Sequence, residues 1–420
     1  MRTAICLLRY FVFVNLFIIQ ASFVSGQGSI KNNIKFIDNF FENASPLIWD
    51  IKGDSIIKVG LLPDYESETP NRQTDHWYFK LVADKGTHVK IIFSKLLANF
   101  SKGRLSKRWW NFENSISCHI SYDQKTWVPI KTTSLPGNEL LLEFNMEGES
   151  VFIARLPPYT VSDLNVLKER IRCNELVKIY NIGATVEKRP LEIIQLGHEN
   201  APYSVLIRAR AHPWEPGGNW VVEGIINEFL KQKSEKWLNN FCIFIMPMAN
   251  KDGVARGMTR FNLNGKDLWR NWEPDPDPVL CPENYALEEF IKTLLKKGIK
   301  PSLAIDIHND DYGEIHLALQ KDKDSRYIKN MTLLREKMSE HSCYSTGLKY
   351  AWLTEGQSLS DFNFGFADGL LYKYGIDAVI YELNANWIQD LGKMPSNEDW
   401  MKIGENLNYA FYDYFNSRNK

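Results

Sequence analysis

The fold of this chain is interpreted from one stretch of its sequence. This stretch is Val205-Leu206-Ile207-Arg208-Ala209-Arg210, followed by His212-Pro213-Trp214-Glu215. The apolar run predicts a buried strand, and Pro213 predicts that a turn ends it. At such a turn His212 and Glu215, three residues apart, can converge on one point. An imidazole and a carboxylate suit zinc, and one further protein ligand would leave a coordination position open for catalysis. Taken alone, these four residues are more simply a surface turn, so the zinc hypothesis depends on residues elsewhere in the chain.

His308 is the candidate for the third ligand. It follows the apolar run Leu303-Ala304-Ile305-Asp306-Ile307, a second predicted buried strand, and so occupies the same kind of position as His212. His316 is the competing candidate, but it lies in the middle of a predicted strand, where a lone histidine is usually structural. Asp306 is either an acceptor for the ring of a metal-binding histidine or an ordinary polar residue at a strand end.

Hydrolysis at such a site also needs a group that accepts a proton from water. Glu382 follows the apolar run Ala378-Val379-Ile380-Tyr381. Burial would raise the pKa of its carboxyl group and a nearby metal would lower that pKa, so Glu382 is a candidate proton shuttle. A structural carboxylate is the alternative.

The segment from Asn250 to Trp272 predicts a long loop past a strand end, where sites are commonly built. It contains Arg260 and Arg270. A guanidinium in such a loop can hold a carboxylate through two parallel hydrogen bonds, or it can stabilise a developing oxyanion. For either arginine taken singly, a solvated side chain is the alternative.

Length and composition predict a globular chain with two domains. The sequence has 420 residues, of which 44% are apolar and 24% charged, and its formal net charge is -1. Because no long block of lysine and arginine is present, nucleic acid is not favoured as a partner.

The first 26 residues predict a signal peptide. Arg2 gives a charged start, Tyr10 to Ile19 is nearly all apolar, and Val24-Ser25-Gly26 offers small residues for cleavage. The apolar run is short of the roughly 20 residues that span a membrane. We therefore expect a secreted or periplasmic protein without stable membrane insertion, and an uncleaved anchor is the alternative.

The cysteines predict no thiolate zinc site. Removal of Cys6 with the signal peptide would leave five, an odd number, and none of them has C-x-x-C spacing. Cys242 lies in the apolar run Phe241 to Met246 and is expected in the core. Export would permit a disulfide among the others, and the sequence leaves their pairing open.

Residues 27–157 and 158–420 predict two domains of different character. The first range contains short alternating runs separated by turn signals, such as His88-Val89-Lys90-Ile91-Ile92-Phe93, which predict an antiparallel β-sandwich. After Pro157-Pro158, strand-like runs alternate with helical ones, which predicts an α/β domain with a mixed sheet covered on both faces. The last helix is predicted from Ser396 and Asp399, which resemble a capping box, followed by one apolar stripe at Trp400, Ile403, Leu407, Phe411 and Tyr414.

Taken together, these motifs resemble the zinc carboxypeptidases of the M14 family. The pattern of that family is His-x-x-Glu, an Asn-x-Asp-Gly turn, an Arg, an Asp-Leu-Asn-Arg run followed by x-Trp, a later His and a late Glu. This chain meets its order and approximate spacing over about Tyr159 to Phe415. The first half resembles the β-domain of the cytosolic-carboxypeptidase-like branch. This resemblance implies that Zn²⁺ is bound by His212, Glu215 and His308. It also implies that Glu382 is the general acid/base, that Arg260 stabilises the oxyanion and that Arg270 clamps the terminal carboxylate of a peptide.

The sequence departs from the family pattern at two places. Trp269 stands where the Asn before Arg270 is expected, so one arm of the carboxylate clamp is missing or comes from elsewhere, with Asn271 as the candidate. Asn309-Asp310-Asp311 follows His308 without the second His that is common in that branch. An export signal is also unusual beside the name of the branch.

Three hypotheses about function remain. The first is a secreted zinc metallocarboxypeptidase that removes C-terminal amino acids from peptides or proteins. The second is a zinc amidohydrolase that acts on cell-wall peptides or N-acyl amino acids, for which Trp269 is the main support. The third is a catalytically inactive binding protein. Side-chain specificity, the role of the first domain, the oligomeric state and the host are open.

Overall fold

In the computed structural model of this protein, the described residues are 33–67, 73–94, 96, 98–101, 104–106, 116–137, 139–231, 240–273, 275–359 and 362–418. The predicted signal peptide, residues 1–26, lies outside them. Among the described residues, no helix combines the length and the apolar character needed to cross a membrane.

The first part of the chain is built from strands. Within the described residues these are β1 (Ile34–Asp38), β2 (Leu47–Lys52), β3 (Ile56–Leu61), β4 (Tyr78–Ala83), β5 (His88–Ser94), β6 (Ala98–Ser101), β7 (Arg104–Ser106), β8 (Ser117–Ser121), β9 (Val128–Lys131), β10 (Thr133–Leu135), β11 (Glu139–Asn145) and β12 (Ser150–Ala154). One sheet has the order β1-β4-β12-β8-β9, the second has the order β10-β11-β5-β3-β2, and β6 pairs with β7.

These two five-stranded sheets enclose one apolar core, as a sandwich requires. Alternate residues of β5, such as Val89 and Ile91, are fully buried and share that core with Leu81 and Val151 of the other sheet. All pairs are antiparallel except β3 with β5, which run parallel. The exception arises because the intervening strand β4 belongs to the opposite sheet, so the chain crosses the sandwich and returns in the same direction. The predicted sandwich is confirmed, with this one parallel pair added.

The second part of the chain alternates strands and helices. Its described elements are α1 (Val161–Ile171), β13 (Val177–Ala184), β14 (Pro190–Gly197), β15 (Tyr203–Ala209), α2 (Gly217–Lys231), β16 (Phe241–Met246), α3 (Lys251–Ala255), α4 (Pro282–Lys296), β17 (Leu303–Asp310), β18 (Glu314–Leu317), α5 (Arg326–Glu340), β19 (Gly347–Lys349), α6 (Phe366–Tyr374), β20 (Ala378–Asn384), a 3₁₀ turn (Gln389–Leu391) and α7 (Asn397–Arg418). The predicted boundary between residues 157 and 158 falls between the end of β12 and the start of α1.

An eight-stranded mixed sheet organises this part, in the order β13-β14-β16-β15-β17-β20-β18-β19. Helices cover both faces. On one face, Gly218 of α2 lies against Ile307, and Phe415 of α7 stacks on Tyr203 at a ring distance of 4.5 Å. On the other face, Arg208 lies under the Phe366 ring of α6. The predicted mixed α/β fold is confirmed.

The last helix is capped and buried as its sequence predicts. Ser396 Oγ accepts from the backbone N–H of Asp399, and the Asp399 carboxylate accepts from the backbone N–H of Ser396. The stripe residues Trp400, Ile403, Leu407, Phe411 and Tyr414 are all buried.

The direction of the central strands determines where a site can form. Strands β15, β17 and β20 are neighbours and run parallel, with His308 paired to Glu382. Their carboxyl ends therefore lie side by side at the same end of the strands, in the middle of the sheet. His212, His308 and Glu382 come from this end, although they are far apart in the sequence.

Candidate metal centre and active site

The turn after β15 is held by Arg210. This buried residue has φ 62°, in the left-handed region that non-glycine residues rarely adopt, which is common beside functional sites. Its guanidinium donates to the carbonyl of Pro213 at 2.7 Å and to Asn219 Oδ1 at 2.9 Å. These bonds fix the conformation of the turn, in which the side chains of His212 and Glu215 lie on the same side.

Three side chains meet at one point: His308 comes from the carboxyl-terminal part of β17, and His212 and Glu215 come from the turn after β15. His212 Nδ1 is 2.8 Å from Glu215 Oε1, His308 Nδ1 is 2.7 Å from Glu215 Oε2, and the two Nδ1 atoms are 3.1 Å apart. All three residues are at least 97% buried, with exposures of 3%, 3% and 1%. We call His212, Glu215 and His308 the metal cluster.

The far nitrogen of each imidazole in the metal cluster faces a second carboxylate. His212 Nε2 is 3.0 Å from Asp267 Oδ1, and His308 Nε2 is 2.8 Å from Asp306 Oδ2. A carboxylate accepts and cannot donate, so it places the ring hydrogen on Nε2. The Nδ1 lone pairs then point at the common centre. The sequence interpretation of Asp306 as an acceptor for a histidine ring is thus matched by the geometry.

The charges around the metal cluster favour a cation at its centre. Burial alone would raise the pKa of Glu215, but His212 and His308 outweigh burial and lower it to about 2. Burial alone would lower the pKa of His308, but Asp306 and Glu215 outweigh it and raise this pKa well above its usual value. The same negative surroundings that hold a proton here would hold a metal ion.

The donor set of the metal cluster fits zinc. Two imidazole nitrogens and one carboxylate converge, and once a metal ion replaces the proton held here, the tautomer that Asp267 and Asp306 favour directs both Nδ1 lone pairs at that ion. Zinc accepts nitrogen and carboxylate oxygen, and catalytic sites supply three protein ligands and leave the fourth position open. The acceptors behind both imidazoles are the usual means of orienting such ligands.

Glu382 lies beside the metal cluster on the next strand. Its Oε2 atom is buried and has no hydrogen-bond partner within the described residues. Burial raises its pKa well above the usual value, and Asp310 adds to the rise. A carboxyl group of this kind can exchange a proton with a substrate or a water molecule at neutral pH.

One cavity of about 380 Å³ joins the metal cluster to the predicted substrate residues. It is lined by Gln73, His212, Trp214, Glu215, Arg260, Trp269, Arg270, Asn309, Asp310, Asp311, Tyr312, His316, Lys349 and Glu382. His308 is buried beneath this lining. The structure therefore brings together every predicted site residue except Asn271.

The two arginines are held in different ways. Arg260 donates through Nε and Nη2 to Asp267 Oδ2, at 3.0 and 2.9 Å. The Arg270 guanidinium lies over the Trp269 ring, 4.5 Å from its centroid, so the tryptophan forms a flat support under the predicted clamp. The side-chain amide of Asn271 donates to the carbonyl of Asp267 at 3.1 Å, and Asn271 is not among the residues that line the cavity.

His316 does not join the metal cluster. It groups instead with Asp310 and Glu382, whose ligand atoms lie within 4.8 Å of one another and of the His316 ring. We call these three residues the rim cluster. Burial lowers the pKa of His316 to about 4 and raises that of Asp310 to about 7.

Some residues that shape the site were not assigned from the sequence. Asp267 joins His212 to Arg260, and Arg208 forms a buried ion pair with Asp306. Asp267 is the first residue of the Asp-Leu-x-Arg run, and this position in a family motif could have marked it as a site residue. In the sequence, Arg208 is only an unexpected charged residue in an apolar strand. Its role depends on Asp306, its neighbour in β17.

The sheet, its two helical layers and the ligand set at the strand ends define a metallo-carboxypeptidase architecture. Residues 164–302 match the family profile described as zinc carboxypeptidase, Peptidase M14. The match assigns residues 164–302 to a Peptidase M14 zinc carboxypeptidase domain.

Relatives and solved structures agree with this assignment. Cytosolic carboxypeptidase 6 of Caenorhabditis elegans is 27% identical over 246 residues, covering 53% of this chain and 52% of that protein. The human protein of that name is 26% identical over 292 residues, covering 65% of this chain and 57% of that protein. The chain thus spans about half the length of these curated relatives. A metallo-carboxypeptidase from Burkholderia cenocepacia shares the fold with a TM-score of 0.75 at 22% identity, over 91% of this chain and 99% of that one.

Proposed function

We propose that this chain is a zinc-dependent carboxypeptidase that hydrolyses the last peptide bond of a peptide or protein. The observation that carries the proposal is the convergence of His212, Glu215 and His308 in a cavity that also holds Glu382 and two arginines. A hydrolase needs each of these parts within reach of one bond, and a binding protein does not.

The metal cluster would hold the zinc ion. When bound there, zinc polarises the scissile carbonyl and lowers the pKa of a coordinated water toward ~7. Asp267 and Asp306 keep both imidazoles oriented for that ion through their Nε2 atoms.

Glu382 is the proposed proton carrier. In its ionised form, Oε2, which has no hydrogen-bond partner among the described residues, accepts the proton of the attacking water and then delivers it to the nitrogen of the leaving amine. The buried setting raises its pKa, and this favours the protonated form that the second transfer requires.

The two arginines bind the substrate on either side of the scissile bond. Arg260, close to the metal cluster through Asp267, is the proposed donor to the carbonyl oxygen. Arg270 is the proposed partner of the terminal carboxylate, because this residue lines the cavity and its guanidinium lies over the Trp269 ring.

An amidohydrolase for cell-wall peptides or N-acyl amino acids is the second candidate. The observation that favours it is Trp269, whose ring fills the place of a polar clamp residue beside Arg270. A less polar clamp would recognise a terminal carboxylate less strictly and so accept a wider range of acyl compounds.

Incubation of the purified chain with a defined peptide mixture and with cell-wall fragments separates these candidates. Release of single C-terminal amino acids, detected by mass spectrometry and stopped by a zinc chelator, is the expected result. Activity confined to the wall fragments would instead favour the amidohydrolase. A protein that binds about one zinc per chain but cleaves neither substrate would contradict both.

We also propose that the chain is exported to a secreted or periplasmic location. The support is the charged start and apolar run within residues 1–26, followed by small residues at a cleavage position. N-terminal sequencing of protein recovered from outside the cytoplasm should begin near Gln27. Full-length protein that stays in the cytoplasm would contradict this proposal.

A further inference from the structure

The first domain reaches into the loop that carries Arg260. Asp64 follows β3 of the sandwich and is 8% exposed. Its carboxylate accepts the backbone N–H groups of three consecutive residues across the domain boundary. The distances are 3.0 Å from Thr259 N to Oδ1, 2.5 Å from Arg260 N to Oδ2 and 3.1 Å from Phe261 N to Oδ2.

The three accepted bonds explain why a carboxylate can be buried here. Burial raises the pKa of Asp64, and the N–H groups of Arg260, Thr259 and Phe261 act against that rise. An isolated buried charge is costly, whereas a charge that accepts several hydrogen bonds is tolerated. The loop gains as well, because its backbone runs here outside any helix or strand and its buried N–H groups need acceptors.

Further hydrogen bonds and a close backbone contact hold the same loop against the sandwich. Asn43 donates from its backbone N–H to the carbonyl of Ala255 at 3.2 Å and from Nδ2 to the carbonyl of Val254 at 2.8 Å. A Cβ on Gly257, which has φ 63°, would lie 2.0 Å from the carbonyl oxygen of Ala44. The backbone just before Arg260 therefore has little freedom to shift.

The held backbone is connected directly to the metal cluster. The carbonyl of Thr259 accepts the backbone N–H of Trp214, which lies between His212 and Glu215. The side chain of Arg260 is bound to Asp267, the acceptor for His212. Arg260 is thus fixed at its backbone by the first domain and at its guanidinium by the second.

The sandwich also supports the opposite wall of the cavity. Arg155, at the end of β12 and 1% exposed, donates to Asn386 Oδ1 at 2.7 Å, and Asn386 donates to Asp311 Oδ1 at 2.7 Å. The Arg155 guanidinium also lies 5.8 Å from the centroid of the Trp214 ring. Both walls of the cavity therefore rest on side chains of the first domain.

We propose that Asp64 is a positioning residue of the active site, which holds the backbone of Arg260 so that its guanidinium stays aimed at the substrate carbonyl. The sandwich is then a structural part of the catalytic machinery and not an appended module. This inference rests on the proposed function for its kinetic consequence, although the contact itself can be tested without turnover.

The test compares Asp64→Asn and Asp64→Ala in the full chain with wild type. We expect kcat to fall about 10-fold in the first and about 100-fold in the second, since a misplacement of about 1 Å costs about 10²-fold. KM and zinc content per chain should stay near wild type, because the metal ligands are not altered. If Asp64→Ala does not fold, the isosteric Asp64→Asn provides the comparison.

Asp123→Asn is the matched control. Asp123 also belongs to the sandwich and accepts backbone N–H groups, from Lys125 at 2.8 Å and Thr126 at 2.7 Å, but these bonds stay within an exposed turn. Its substitution should leave kcat unchanged. An equal loss in both variants would show that Asp64 acts only through the stability of the sandwich and would overturn the proposal.

A double-mutant cycle with Arg260→Ala identifies the route by which Asp64 acts. If Asp64 works through Arg260, Asp64→Asn should lower kcat no further in the Arg260→Ala background. Full additivity would overturn the proposal.

Hydrogen exchange gives a readout that does not depend on activity. Amides of residues 259–261 should exchange faster in Asp64→Asn, while those of β15 stay protected. Unchanged exchange at these amides would overturn the proposed contact even in an active enzyme. If wild type lacks peptidase activity but the exchange result holds, the proposed function fails and the positioning contact stands.

Discussion

The metal cluster and the rim cluster have similar geometry but different surroundings. Each gathers imidazole and carboxylate ligand atoms within 4.8 Å of one another. In the metal cluster, both imidazoles face a second carboxylate, Asp267 or Asp306. In the rim cluster, His316 Nε2 has no hydrogen-bond partner within the described residues, and the Glu314 carboxylate is 3.9 Å away.

This difference indicates what separates a metal site from a chance group of ligand-type residues. The second carboxylates fix the tautomer, aim the Nδ1 lone pairs and add negative charge behind the ligands. His316 lacks this support, and burial together with Lys349 keeps it neutral. We therefore infer that the metal cluster is organised for a cation, and we propose that Glu382 of the rim cluster exchanges protons.

Removal of one imidazole from each cluster should have opposite consequences. His212→Ala should abolish zinc binding and lower kcat/KM by about 10³-fold or more. The metal supplies several kcal/mol of transition-state stabilisation, and each 1.36 kcal/mol is a factor of ten. His316→Ala should keep about one zinc per chain. Metal analysis by mass spectrometry checks both, and zinc loss in His316→Ala would remove the distinction between the clusters.

Glu382→Gln should separate metal binding from proton transfer. The amide keeps the shape of the side chain but cannot accept a proton, so zinc content stays near wild type while kcat falls about 10²–10⁴-fold. Steady-state kinetics and metal analysis on the same preparation are the measurements. A fully active Glu382→Gln protein would show that another group carries the proton.

Loss of a second carboxylate should weaken zinc binding without abolishing it. Asp267→Asn replaces a charged acceptor of His212 Nε2 with a neutral one, and zinc affinity should fall about 10–100-fold. The control is Glu314→Gln beside His316, for which no change is expected. Competition with a chelator measures both affinities, and equal effects in the two variants would contradict the role given to the second carboxylates.

The sequence predicted the parts of the site that depend on local pattern. Apolar runs predicted β15, β17 and β20, and His212, His308 and Glu382 were named because each follows one of these runs. That the three strands are parallel neighbours, which brings these residues together, is known only from the structure. Asp267 needed tertiary information, because its partners come from other elements. Asp64 is the extreme case, since it contacts Arg260 across 196 positions and no local signal marks it.

In the fold too, features set by neighbouring residues were predictable from the sequence, and features set by distant residues were not. Alternation along β5 predicted a sandwich strand, because every second residue faces the core. The parallel pairing of β3 with β5 was not predictable, because it depends on β4 joining the other sheet. The side-chain contact of Asn271 depends on the conformation of its loop as well. Its φ is 64°, and its amide donates to the carbonyl of Asp267.

The effect that is smallest at neutral pH concerns the charge of His316 in the rim cluster. Its pKa is lowered from 6.5 to about 4, first by burial and then by Lys349, so the folded state holds the neutral ring. Between about pH 6.5 and 4 the unfolded chain binds the proton more readily, and stability is lost as the pH falls through this window. His316→Gln should remove on the order of 2–3 kcal/mol of that loss, at 1.36 kcal/mol per pKa unit, while barely changing stability at pH 7. Urea unfolding at pH 7 and pH 4.5 measures the difference, and a His316→Gln protein with the wild-type pH dependence would show that the ring is already charged in the folded state.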